Sequence, residues 1–178
     1  MSAPNYLDRS VLPNALTVVD ANMPFPKTLI AEDDANDALL FQCAFKSAGV
    51  NATVHFVSDG VEVIDYLRGK QLFEKVASST LPGLLLLNLD MPRLSGLGVL
   101  EWLRRHPHLR PPRVIMFGSE DTPAQRERAI ALGADQYLAK PSEPTAFASF
   151  INGLREAFLT RILPVASQSR SEGDYAPV

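Results

Sequence analysis

Four short clusters hold the side chains whose types could do chemistry: the acids Glu32, Asp33 and Asp34; Asn88 with Asp90; Gly118 with Ser119; and the cation Lys140. Each ends or follows a short apolar stretch. Carboxylates beside a lysine can pair charges, hold a hard cation or meet an oxyanion. The carboxamide of Asn88 is neutral, and its nitrogen lone pair is delocalised, so it is no nucleophile. Standing alone, Glu32-Asp33-Asp34 reads as a solvated turn with Asp34 capping the next helix. Other chemistries find no pattern. His55, His106 and His108 lack metal-ligand spacing with one another or with Cys43. Gly69-Lys70 lacks the earlier glycine and the following Ser/Thr of a phosphate loop. Neither Ser10 nor Ser119 sits in a nucleophile elbow.

The elements that must position these clusters alternate between strand and helix patterns. Strands are predicted at Thr28–Glu32, Thr53–Val57, Leu84–Leu89, Val114–Phe117 and Gln136–Leu138. The third is apolar without alternation, as expected of a parallel strand covered on both faces. Helices are predicted at 35–48, stopped by Gly49, and over Gly60–Leu67 with Val61, Ile64 and Leu67 on one face. A third opens at Ser95, carries Val99, Leu100, Trp102 and Leu103, and stops before Pro107. A fourth is capped by Thr122-Pro123 and ends at Gly133, and a fifth from Glu143 buries Phe147, Phe150, Ile151, Leu154 and Phe158. Cys43, between Phe41 and Phe45, is expected to be a buried structural thiol. Such alternation predicts an α/β doubly wound parallel sheet with right-handed crossovers. In these sheets functional groups gather beyond the carboxyl ends of the strands, so the four clusters should share one rim.

The chain of 178 residues suits one well-buried domain. Nearly half its residues are hydrophobic, about a fifth are charged, and the formal charge is −3, which gives no overall basic signature for nucleic acid. No run approaches the length needed to span a bilayer, no secretory signal is evident, and a lone cysteine suits a reducing compartment, so a cytoplasmic protein is expected. Residues 1–26, with four prolines, read as an arm, 27–162 as the folded domain with a long connection at 69–82, and 163–178 as a polar, mobile tail.

Ile30-Ala31-Glu32-Asp33-Asp34, Leu87-Asn88-Leu89-Asp90-Met91-Pro92 with Gly96, and Gly133 through Pro141 resemble the signature segments of the response-regulator receiver (CheY-like) family across the whole predicted domain. Asp59-Gly60-Val61-Glu62 with Asp65-Tyr66-Leu67, and His106-Pro107-His108-Leu109, resemble the single-domain subgroup that includes partners of bacterial phytochromes. The resemblance implies a five-stranded flavodoxin-like sheet of order 2-1-3-4-5. In that family a third-strand aspartate takes a phosphoryl group from a kinase histidine, and acids after the first strand hold Mg²⁺. Carried over, Glu32 and Asp33 match the metal acids, the Asp90 backbone carbonyl a further ligand, and Lys140 the phosphate-binding lysine. The acceptor position is Asn88. The switch Ser/Thr position is Gly118, fifteen residues before Gly133, and Ser119 points to the other face of its strand. Tyr137 matches the switch aromatic, and the space above Gly118 favours an inward ring. Trp102 is expected to pack without a ligand role.

The resemblance therefore implies a phosphorylation-deficient, non-enzymatic receiver acting as a protein-binding module in two-component signalling. Mg²⁺ binding should be weakened, and Lys140 should pair with Glu32 or Asp33. A receiver using Asp90 as a displaced acceptor is one alternative. A small Mg²⁺-dependent phosphotransfer or phosphatase enzyme is another, although Asn-Leu-Asp begins with the wrong residue for an aspartate nucleophile. The implied partner is a sensor histidine kinase or phytochrome-type kinase, or another signalling protein, with neither nucleic acid nor membrane. Leu159 and Ile162, off the apolar arc of the last helix, suggest a homodimer.

Overall fold

The computed structural model describes residues 25–69 and 81–162. Strands β1 (Thr28–Ala31), β2 (Val54–Val57), β3 (Leu84–Asn88), β4 (Arg113–Gly118) and β5 (Gln136–Ala139) alternate with helices α1 (Ala35–Ser47), α2 (Gly60–Leu67), α3 (Gly96–Arg105), α4 (Pro123–Ala131) and α5 (Pro144–Ile162). All strand pairs are parallel and the order is β2-β1-β3-β4-β5, the expected doubly wound arrangement.

Strand periodicity sorts the core into two layers. Leu29, Ala31, Leu85, Leu87, Val114 and Met116 point to the side covered by α2, α3 and α4. Their alternates Ile30, Leu84, Leu86, Ile115 and Phe117 point to the side covered by α1 and α5. That second layer is aromatic: Phe41 meets Phe117 and Phe147 edge-on, with centroids 5.4 and 5.0 Å away. Burying each such ring contributes about 2–3 kcal/mol before entropy is counted.

Helix starts are fixed by side-chain caps immediately after the strand ends, so helix N-termini and strand carboxyl ends share the rim. Asp34 caps α1, Asp59 caps α2, Ser95 caps α3, and Thr122 with Gln125 forms a capping box on α4. Gly96 lets α3 start directly against the Asn88 carbonyl, where any Cβ would collide.

Two expectations need correction. Cys43 is exposed, because α1 buries Phe41, Ala44 and Phe45, and a residue two places from Phe41 and Phe45 lies about 200° around the helix. Helix α2 buries Gly60, Val63, Tyr66 and Leu67, leaving Val61 and Ile64 only half-buried. Strand β3 ends at Asn88, one residue short of the predicted end, and Asp90 lies in the following loop as expected. The expected arm, most of the 69–82 connection, the tail and the side chains of Phe158, Leu159 and Ile162 lie outside the described residues. At the boundary, Phe25 packs on Phe45 with centroids 5.6 Å apart. Among the described residues no helix is long and apolar enough to cross a membrane.

Candidate functional site

Strands β1, β3, β4 and β5 bring the predicted residues to one rim. Glu32 follows β1, Asn88 ends β3, Gly118 ends β4 and Lys140 follows β5. The ladder continues past the strand ends: the Glu32 N–H donates to the Val57 carbonyl, and the Lys140 N–H donates to the Gly118 carbonyl at 2.8 Å.

Asn88 is buried, and its Nδ2 donates to Asp33 Oδ1 at 2.9 Å, the Asp90 carbonyl at 3.0 Å and Glu32 Oε1 at 3.3 Å. An amide has two N–H bonds for these three acceptors, so one hydrogen is shared. The Asp34 N–H also donates to Glu32 Oε1, at 3.0 Å. On the other side of Glu32, Oε2 lies 2.8 Å from Lys140 Nζ, which also reaches Asp37 Oδ2 at 2.6 Å.

Burial pushes the Glu32 carboxyl above the ordinary glutamate range, more strongly than the Lys140 and Asp34 hydrogen bonds pull it back. Burial would also lower Lys140, but its bonds to Asp37 and Glu32 outweigh that and hold it above the ordinary lysine value. Lys140 thus pairs with Glu32, one of the two acids expected. Its second partner, Asp37, was not anticipated. The available signal was an acid in the first turn of α1, one helical step beyond the Asp34 cap.

At the β4–β5 end, Tyr137 is 2% exposed, with its ring inside the α2–α4 layer and its hydroxyl donating to the Glu120 carbonyl at 2.7 Å. A Cβ on Gly118 would stand 2.5 Å from Tyr137 Oη and 3.2 Å from Leu89 Cβ. The inward ring therefore occupies the space a larger residue at position 118 would need. Ser119 is exposed and does not enter that space. The exposed Asp90 contributes its carbonyl to Asn88.

Sequence reasoning gave Asp59 only a family resemblance. It is a buried carboxylate that caps α2 and pairs with Arg93, whose Nε lies 2.6 Å away. Arg93 adopts positive φ, 59°, and the Gly60 N–H donates to the Leu94 carbonyl. Together these bonds fasten the loop after β3 to the start of α2. Trp102 packs between its neighbours, with His106 stacked on it at 4.2 Å and Arg68 over the ring.

The comparisons agree with this geometry. Residues 28–152 match the response regulator receiver domain, and the chain belongs to that family. It is 30% identical over 124 residues to the probable methanogenesis regulatory protein FilR2 of Methanothrix harundinacea, covering 70% of this chain and 77% of the relative. Other curated relatives are longer, and the chain spans about half of one transcriptional regulator (51%). Among solved structures, response regulator RPA3017 in red light signaling of R. palustris has a TM-score of 0.66 and 32% identity, covering 73% of this chain and 91% of that one. The bacteriophytochrome response regulator RtBRR has a TM-score of 0.61 and 30% identity, covering 74% and 78%. The class is thus a receiver of the two-component type.

Receivers generally bind Mg²⁺, and the residues here can be tested against that ion. Mg²⁺ requires oxygen ligands at about 2.0–2.1 Å in near-octahedral geometry. The three oxygens assigned to it by family position, Glu32 Oε1, Asp33 Oδ1 and the Asp90 carbonyl, converge instead on the Asn88 amide nitrogen. In this arrangement they do not fit the ion.

Proposed function

We propose that this chain is a phosphorylation-independent receiver: a non-enzymatic docking module in a two-component pathway. The single observation that carries the reading is the Asn88 carboxamide, buried at the acceptor position and hydrogen-bonded to the acids around it. A neutral amide lacks the carboxylate oxygen from which an acyl phosphate forms, and its nitrogen lone pair is delocalised. Gly118 supports the same reading, since it offers no hydroxyl to hold a phosphoryl group and its space is taken by Tyr137.

The proposed domain spans 27–162, flanked by the arm and tail. The proposed partner is a sensor histidine kinase, by analogy with the red-light and bacteriophytochrome regulators it resembles a phytochrome-type one. A cytosolic homodimer with weakened Mg²⁺ affinity completes the reading. Asp90 as a displaced acceptor is not favoured, because it lies beyond β3 in the loop.

The test is exposure of the protein to acetyl phosphate and Mg²⁺, followed by intact-mass and peptide mapping. The wild-type chain should gain no phosphate, and Asn88→Asp should gain a single acid-stable, base-labile adduct at position 88. Phosphate on Asp90, or anywhere on the wild-type rim, would sink the reading. Kinase binding measured by titration should be unchanged by the phosphoryl donor.

A further inference from the structure

A receiver pocket of this family would take two charged groups from outside, a divalent cation among the acids and an oxyanion at the lysine. Here both places are filled from within. The Asn88 amide donates to the three oxygens assigned to the cation. Lys140 Nζ is held between Glu32 Oε2 at 2.8 Å and Asp37 Oδ2 at 2.6 Å, with its side chain only 12% exposed. Glu32 is the buried partner; Asp37 sits at the mouth, 27% exposed, carried there by the first turn of α1.

We propose that Asp37 is a positioning residue whose carboxylate stands in for an oxyanion at Lys140, as the Asn88 amide stands in for the cation. The inference rests on the docking reading and deepens it by naming what holds the pocket in one state. The Lys140 ammonium already faces two carboxylates at ion-pair distance. An incoming anion would have to displace Asp37 and approach the charges of Glu32 and Asp33. Taking Asp37 away leaves Lys140 with one partner and an opening at the mouth. The pocket should then accept a small oxyanion.

Inorganic phosphate and acetate are suitable probes, since neither donates a phosphoryl group. Backbone amide resonances of Gly118, Ala139 and Lys140 would be followed during titration at constant ionic strength. Asp37→Ala and the near-isosteric Asp37→Asn should saturate at concentrations about tenfold lower than wild type, the size of one charge-assisted hydrogen bond. Acetate, but not chloride, should also recover the thermal midpoint lost in Asp37→Ala. Asp37→Glu should titrate like wild type, while a role in helix capping alone would leave the anion titration of Asp37→Ala unchanged. Equal titration of wild type and Asp37→Ala, or Asp37→Glu behaving as Asp37→Ala, would overturn the proposal. Such a failure leaves the docking reading intact, whereas covalent phosphate on the wild-type rim defeats that reading whatever the anions do.

Discussion

The two ends of the rim are filled by opposite means. At the β1–β3 end polar groups close around a carboxamide: Asn88, Glu32, Asp33, Lys140 and Asp37 form a continuous set of hydrogen bonds and ion pairs. At the β4–β5 end Gly118 offers only a hydrogen, and an aromatic ring occupies the space beside it. The two ends touch: Asn88 and Phe117 are in register, and Leu89 lies against Gly118. A network of buried charges fails when one member is removed, because the others remain desolvated. A packed ring fails when volume is added, because it must leave its packed position. The same rim should therefore respond oppositely to deletion and insertion.

Deletion at the polar end should have the largest effect. Lys140→Met leaves the Glu32 carboxylate, whose side chain has no exposure, without its cation. The expected loss is about 3 kcal/mol in urea unfolding near neutral pH, at the lower end for breaking a buried pair because Glu32 can relieve its charge by taking a proton. A loss below that of the insertion described next would break the contrast between the two ends.

Insertion at the apolar end comes second. Gly118→Thr places a Cβ 2.5 Å from Tyr137 Oη and should drive the ring outward, detaching it from the Glu120 carbonyl. The cost should be about 1–3 kcal/mol, with the ring position read from aromatic NMR contacts to the α2–α4 layer. Tyr137→Phe in the same chain removes the colliding oxygen, so the double variant should recover part of the loss. A purely additive pair would mean that ring and glycine are not coupled.

Much of this contrast was legible before the structure, and the reasons are local. Apolar runs ending in polar residues placed Glu32, Asn88, Gly118 and Lys140 at strand ends, and the doubly wound topology puts strand ends together. Gly118 beside Tyr137 foretold an inward ring, because a missing side chain next to a large one is a statement about volume. Asp37 was harder. Its role depends on where the first turn of α1 points, which is set by the Asp34 cap and the packing of Phe41, Ala44 and Phe45 rather than by spacing from Lys140. Cys43 was misplaced because two flanking phenylalanines suggested burial, when the helical angle between neighbours two apart puts it on the opposite face. Asp59 escaped because its ion pair depends on Arg93 adopting positive φ, a conformation no pattern in the sequence announces.

The smallest expected effect concerns acid. Most carboxylates that are paired in a folded protein have depressed pKa values and make it weaker as pH falls. Glu32 is shifted the other way, with burial outweighing its bonds to Lys140 and Asp34. The folded state therefore binds this proton more tightly than the unfolded chain does. Its contribution to stability is fully present below the ordinary glutamate pKa and is lost as pH rises through the higher folded value. Glu32→Gln should remove that slope, so that the wild-type and variant urea midpoints converge or cross between the two pKa values as acid is added. A carbon-detected titration of the Glu32 carboxyl checks the premise directly. If it titrates below an unstructured glutamate, the polar end is held by Lys140 more firmly than burial opposes it, and the Lys140→Met loss should then exceed 3 kcal/mol by about the same margin.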